Sequence, residues 1–172
     1  AATEGHVLLI DGDLRKPQVH TLLGGKKTPG LSDILVGKAK PSEAIQHFPG
    51  THLSFVSAGR QAPSPGDLLI QGTLRGFLDG LRQIYTWIII DTPPVGAVAE
   101  ALTLAPLADG VLVVAGAEMV PRKAVGHTLE RLQASGARVL GIVLNRAQVE
   151  KHSYYYGHYY GRYPQEPGPQ KV

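Results

Sequence analysis

Val7-Leu8-Leu9-Ile10-Asp11-Gly12-Asp13-Leu14-Arg15-Lys16-Pro17 runs from four apolar residues straight into two acids, two bases and a proline. Trp87-Ile88-Ile89-Ile90-Asp91-Thr92-Pro93-Pro94 repeats the arrangement further along the chain. Short apolar runs without polar alternation, bounded by turn residues, read as strands buried on both faces. Further runs at 53–56, 111–115 and 139–144 read the same way. Between them lie helical patterns at 67–84, carried by Leu68, Leu69, Leu74, Leu78 and Leu81, and at 122–134, carried by Val125, Leu129 and Leu132. Strands that alternate with helices pair in parallel through right-handed crossovers, so the expected fold is α/β, a mostly parallel sheet flanked by helices. A mixed α+β domain is the alternative.

The punctuation around these runs agrees. Gly30-Leu31-Ser32-Asp33 and Pro41-Ser42-Glu43-Ala44 each look like a helix start, which predicts two small helices over 30–48. Pro63-Ser64-Pro65-Gly66 is a rigid turn that feeds the long helical pattern. From Glu150 the apolar period disappears, and Tyr, His and Gly give way to Pro, Gln and Gly. The chain therefore divides into an α/β domain over 1–149 and a disordered, tyrosine-rich tail over 150–172.

Composition bounds the function. A chain of 172 residues with 43% hydrophobic content can bury the core of one domain. A formal net charge of +3 is too small for nucleic acid to be the main partner. There is no cysteine, which removes thiolate metal sites and thiol nucleophiles and agrees with a cytoplasmic setting. The richest apolar stretch, 97–117, is interrupted by Glu100, Pro106 and Asp109, so it is no membrane span. Residues 1–5 carry no basic segment of the kind that opens a signal peptide.

In α/β sheets ligands bind beyond the carboxyl ends of the strands, where Asp11, Asp13 and Asp91 fall. Carboxylates there suit hydrated Mg²⁺ in phosphoryl transfer, because that hard ion takes oxygen ligands and keeps several waters. A single Asp at a strand end is ordinarily a turn residue. Two apolar runs ending in Asp, one followed by a second Asp and an Arg, point to function.

These residues resemble a family. Asp11-Gly12-Asp13-Leu14-Arg15-Lys16-Pro17 is similar to the Walker A′ motif of the bacterial tyrosine kinases of capsular and exopolysaccharide biosynthesis, and 88–94 resembles their Walker B motif. Gly30-Leu31-Ser32-Asp33-Ile34-Leu35 with Gly37, Ala58-Gly59 followed by Pro63, Pro65 and Leu68-Leu69, and Gly141-Ile142-Val143-Leu144-Asn145 extend the likeness through most of the chain. Chromosome-partitioning and septum-site ATPases share the same P-loop NTPase-like fold. The tail separates them, because Tyr154, Tyr155, Tyr156, Tyr159, Tyr160 and Tyr163 form the cluster that marks the kinases, while Tyr85 stands alone.

One part is missing. A P-loop needs a Gly-rich turn, a Lys and a Ser or Thr. Gly25-Lys26-Lys27 and Gly37-Lys38-Ala39 are the only Gly-Lys pairs, and neither has the spacing or the hydroxyl. In the resembling family the P-loop and its strand precede the Walker A′ strand, so the expectation is a kinase domain lacking its first strand and P-loop. A variant that has lost nucleotide binding is the competing reading. The absent strand belongs inside the sheet, so its neighbours are expected to be left with unpaired backbone groups.

The resemblance implies further roles. Asp13 and Asp91 become Mg²⁺ ligands, directly or through water. Asp11 orients or deprotonates the attacking tyrosine hydroxyl, with exchange between Asp11 and Asp13 allowed. Arg15 contacts phosphate or a neighbouring subunit, or makes a surface salt bridge. Asn145 lies where relatives contact adenine, although a turn residue is the ordinary explanation. The implied cofactors are ATP and Mg²⁺, and the implied activity is autophosphorylation of the tail tyrosines. The implied partners are a membrane chain-length-determinant adaptor, further copies in a homo-oligomeric ring and a cognate tyrosine phosphatase, at the inner face of the plasma membrane. Six phosphotyrosines would add roughly −9 to −12 charges, enough to repel neighbouring tails and toggle assembly. A non-catalytic interaction module with a Tyr-rich binding tail, or a partitioning-type ATPase, are the alternatives. The histidines show no metal-ligand spacing except His152 and His158, and all are read as non-catalytic.

Overall fold

A computed structural model describes residues 5–70 and 73–147. The elements in chain order are β1 (Val7–Asp11), α1 (Val19–Leu22), α2 (Leu31–Leu35), α3 (Pro41–Ala44), β2 (Ile45–His47), β3 (Leu53–Val56) and α4 (Pro65–Ile70). They continue with α5 (Thr73–Leu81), β4 (Trp87–Asp91), α6 (Glu100–Leu104), a 3₁₀ turn (Ala105–Leu107), β5 (Val111–Gly116), α7 (Arg122–Ala134) and β6 (Val139–Asn145). The fold is α/β with a parallel-rich sheet and helices beside it. The tail over 150–172, with its tyrosine cluster, lies outside the described residues.

Strand order in the main sheet is β2-β3-β1-β4. β1 runs parallel to both β3 and β4, the arrangement expected of strands joined through helices. Its side chains supply the middle of the core. Leu8, Ile10 and Val56 are buried against Leu31 and Leu35 of α2, Leu69 of α4, and Leu74, Leu78 and Leu81 of α5. These are the apolar positions of the helical patterns, which places α4 and α5 by hydrophobic burial.

Several expectations need correcting. Residues 45–47, read as part of a short helix, form β2, which pairs antiparallel with β3. The cause is the return through Pro49-Gly50, with Gly50 at φ +73, which folds the chain back as a hairpin. Gln46 fixes that edge: its Oε1 accepts from the Lys26 N–H at 2.7 Å, and its Nε2 donates to the Lys26 carbonyl at 2.7 Å. The helical pattern expected over 67–84 is described as helix over Pro65–Ile70 and Thr73–Leu81, and α5 closes at Leu81, three residues short, where the Ile84 and Tyr85 N–H groups turn back onto the Leu81 carbonyl. β1 and β4 each extend one residue beyond the apolar run, so that Asp11 and Asp91 are themselves strand residues.

β5 and β6 form a separate parallel pair, register Gly116↔Asn145 at its end. Among the described residues β4 pairs only with β1 and β5 only with β6. The expectation that these strands are covered on both faces does not hold for them: Trp87 and Ile89 are more than half exposed, as are Leu112 and Val114. No described layer covers those side chains. Unpaired edges beside exposed apolar residues template association. The polypeptide 1–172 made on its own is therefore expected to self-associate in sedimentation velocity as concentration rises. A monomer at all concentrations would contradict this.

Candidate functional site

The carboxyl end of β1 meets the carboxyl end of β4, and their register places Asp11 directly beside Asp91. Strand identity alone brings two acids together. Gly12 follows because nothing larger fits: a Cβ there would stand 2.7 Å from the Asp91 carbonyl oxygen, which already accepts the Gly12 N–H at 2.8 Å.

The loop after β1 is wound on two carboxylates. Asp11 is fully buried, and its Oδ1 accepts from the Asp13 N–H at 3.3 Å while Oδ2 accepts from those of Gln18 at 3.2 Å and Val19 at 3.1 Å. It thus caps the first turn of α1. Asp13 makes the next turn, its Oδ1 accepting from the Arg15 N–H at 3.0 Å and the Lys16 N–H at 2.9 Å. No donor among the described residues bonds Asp13 Oδ2.

Electrostatics follow from the crowding. Burial pushes the Asp11 carboxyl above its ordinary range, against the backbone N–H bonds that pull it down, and the nearby Asp91 adds to the rise. Asp91 is raised as well, first by loss of water at the strand end and then by the charge of Asp13. A divalent cation would relieve this repulsion, and Mg²⁺ is commonly held by one or two carboxylates, with waters and phosphate oxygens completing the shell. Asp13 and Asp91 fit that donor set. Among the described residues no three His, Asp or Glu gather into a cation site.

Arg15 has a partner that the sequence reading does not name. Its Nε donates to Glu100 Oε1 at 2.8 Å and its second nitrogen lies 2.7 Å from the same oxygen. The Arg15 side chain is about half exposed (52%) and that of Glu100 almost wholly buried (4%), so this is no ordinary surface pair. Glu100 is the first residue of α6, and the sequence signal for it was an acid within an otherwise apolar stretch. Asp33 is a second buried acid that reads only as a helix opener: its Oδ2 accepts from the Gly30 N–H at 3.0 Å and the Arg60 N–H at 3.3 Å.

Asn145 ends β6 in the other sheet, where its carbonyl accepts from the Ala117 N–H and its Oδ1 from the Arg146 N–H at 2.8 Å. Among the described residues no hydrogen bond links it to the acids. Tyr154, Tyr155, Tyr156, Tyr159, Tyr160 and Tyr163 lie outside the described residues, as do His152 and His158.

A parallel-rich α/β sheet with paired acids at adjacent strand ends defines the class, a P-loop NTPase-like domain. The septum-site protein MinD of Pyrococcus horikoshii, solved with Mg-ADP, shares the fold at a TM-score of 0.66 and 22% identity over 84% of this chain and 60% of its own. The VpsO kinase domain aligns at a TM-score of 0.81 and 33% identity, over 86% of this chain and 73% of that one. The tyrosine-protein kinase YwqD of Bacillus subtilis is 35% identical over 155 residues, 90% of this chain and 65% of YwqD. CapB of Staphylococcus aureus, whose name gives the same activity provisionally, is 33% identical over 154 residues, 90% of this chain and 67% of CapB. The chain belongs to the bacterial tyrosine kinases. It spans about two thirds of these shorter relatives and only 22% of EpsB of Ralstonia solanacearum, to which it is 35% identical over 163 residues. No protein-family model matches it.

Proposed function

We propose that this chain is the nucleotide-proximal part of a protein-tyrosine autokinase that transfers the γ-phosphoryl group of ATP to tyrosines of its own tail, among Tyr154, Tyr155, Tyr156, Tyr159, Tyr160 and Tyr163. The observation that carries the reading is the juxtaposition of Asp11, Asp13 and Asp91 at the carboxyl ends of β1 and β4, in a chain about one third identical to proteins named as tyrosine kinases.

Each acid has a different fitness. Mg²⁺ bound by Asp13 Oδ2 and Asp91, directly or through water, would neutralise charge on the transferring phosphoryl group. Asp11 accepts three backbone N–H bonds, and since its two oxygens offer about four acceptor sites it can hold the loop and still accept from a tyrosine hydroxyl. Asp13, with Oδ1 held by two backbone N–H groups, keeps Oδ2 for the cation, and Asp11 is left to orient the tyrosine hydroxyl. A phenol of pKa near 10 needs such a carboxylate close by to become a nucleophile at neutral pH. Arg15 is committed to Glu100, which leaves the phosphate-contacting role open to residues outside this loop.

Within the family resemblance, the tail modification regulates capsule or exopolysaccharide polymerisation and export, through a membrane adaptor and a ring of copies. Six phosphates of roughly −1.5 to −2 charges each would overturn the formal +3 of this chain, which supports separation of modified tails. No helix among the described residues is long and apolar enough to cross a membrane, which is compatible with attachment through such a partner.

The polypeptide 1–172 contains no Gly-rich Lys-Ser or Lys-Thr loop, so on its own it is expected to bind Mg-ATP weakly or not at all. Calorimetric titration checks this, and tight saturable binding would contradict it. Incubating the full-length protein with Mg-ATP and assaying phosphotyrosine tests the activity itself.

A further inference from the structure

Glu100 is an acid that the transfer chemistry does not use, yet it is held almost free of water at 3% exposure. Burying a carboxylate is expensive, and a buried ion pair is weak support for stability, so its placement asks for another reason. Among the described residues its only ion-pair partner is Arg15, two residues after Asp13. Arg15 acts at both ends. Its guanidinium takes Glu100 Oε1 through two nitrogens at 2.8 and 2.7 Å, and its backbone N–H donates to Asp13 Oδ1 at 3.0 Å.

The base of this linkage is rigid. Leu104, one turn along α6 from Glu100, is buried in the main core and packs over Gly12, where an added Cβ would lie 3.3 Å from its Cδ1. A continuous path therefore runs from the core through α6, Glu100 and Arg15 to the Asp13 carboxylate. At its end one oxygen of Asp13 is occupied and the other is left without a partner among the described residues.

We propose that Glu100 is a positioning residue, which holds Arg15 so that the Arg15 and Lys16 N–H groups occupy Asp13 Oδ1 and present Oδ2 to a divalent cation. This rests on the reading above that Asp13 helps to hold the cation. Glu100 touches neither nucleotide nor tyrosine in this assignment, and Arg15 serves as its lever. Groups that orient a metal-binding side chain act through geometry, and their loss lowers metal affinity or turnover by about 10- to 100-fold.

The test uses the full-length protein carrying Glu100→Ala, Glu100→Gln, Arg15→Ala and the Glu100→Ala/Arg15→Ala pair. Asp109→Asn serves as control, since the Arg82–Asp109 pair at 3.2 Å is exposed and remote in the fold from the acids. Mn²⁺ affinity in the presence of ADP is read by electron paramagnetic resonance. Each single alanine variant is expected to weaken Mn²⁺ binding about tenfold, and the double variant no further, because both changes cut one path. Glu100→Gln, which keeps the shape and one acceptor, falls between, and Asp109→Asn matches the parent. In the same variants kcat for tyrosine phosphorylation is expected to fall while KM for ATP stays within about twofold, since no nucleotide contact is lost.

Unchanged Mn²⁺ affinity beside a lowered melting temperature would overturn the proposal and leave Glu100 a structural residue. So would losses that add in the double variant. If the parent binds Mn²⁺ but phosphorylates no tyrosine, the kinase reading fails while the Mn²⁺ cycle still decides the role of Glu100. A parent that binds no Mn²⁺ with ADP overturns the proposal together with the cation site.

Discussion

Asp91→Asn in the full-length protein is expected to lower tyrosine phosphorylation by about a hundredfold or more, the scale on which removal of a group that stabilises transition-state charge acts. The amide keeps the shape and one acceptor oxygen but loses the charge that suits it to a cation. Asp13→Asn is expected to do the same. Stability should move the other way. In the folded chain Asp91 sits above its ordinary carboxylate range, through lost water and the charge of Asp13, so folding favours its protonated form. The stability that this group contributes is present below the unfolded pKa and is lost as pH rises through the folded one. At neutral pH the ionised Asp91 is thus a cost, and Asp91→Asn should unfold at or above the parent's urea midpoint. The difference should fade as pH falls toward the ordinary carboxylate range. An inactive variant that is also destabilised at neutral pH would separate the activity loss from the charge and contradict the assignment.

The second large effect lies where α2 meets the end of β3. The N–H groups of Leu31 and Ser32 donate to the carbonyls of Ser57 and Ala58 at 2.7 and 2.9 Å, so the two backbones touch. A Cβ on Gly30 would stand 2.3 Å from both the Ser57 carbonyl oxygen and the Gly59 nitrogen, and those are backbone atoms that cannot swing away. Gly30→Ala must push α2 off the sheet, and it is expected to cost about 3 kcal/mol or more, at the upper end of overpacking. Gly59→Ala meets Ser32 Oγ at 2.4 Å and also forces a side chain onto φ +88, so it should cost a similar amount. Gly37 separates the two causes. It lies at φ +71 with nothing within 4 Å, so Gly37→Ala carries the backbone penalty alone, about 1 kcal/mol. Urea unfolding of the three variants checks the ranking. Equal losses at Gly30 and Gly37 would show that close approach is not the cause.

The sequence carries much of this architecture because burial selects residue type over whole elements. The apolar runs at 7–10, 53–56, 87–90, 111–115 and 139–144 each became a strand. Asp11, Asp13 and Asp91 were legible as neighbours because a strand end gives a fixed address to the residue that follows. β2 was hidden, since three residues between a helix and a hairpin turn are too few to show a period. Glu100 and Asp33 were hidden for a different reason. An acid in sequence reads as solvent-facing, and only the three-dimensional arrangement shows Arg15 beside one and the Gly30 and Arg60 N–H groups beside the other. The exposed faces of β4 and β5 were not legible, because apolar runs of this kind read as covered on both sides.

The central claim is that the paired strand-end acids serve phosphoryl transfer to the clustered tail tyrosines. Mass-spectrometric mapping of phosphotyrosine in the full-length protein after incubation with Mg-ATP tests it most directly, with the Asp91→Asn protein treated in parallel. Phosphate on tyrosines within 154–163 of the parent, and none on the variant, is the expected result. A parent unmodified in that cluster, or a variant modified as fully as the parent, would contradict it.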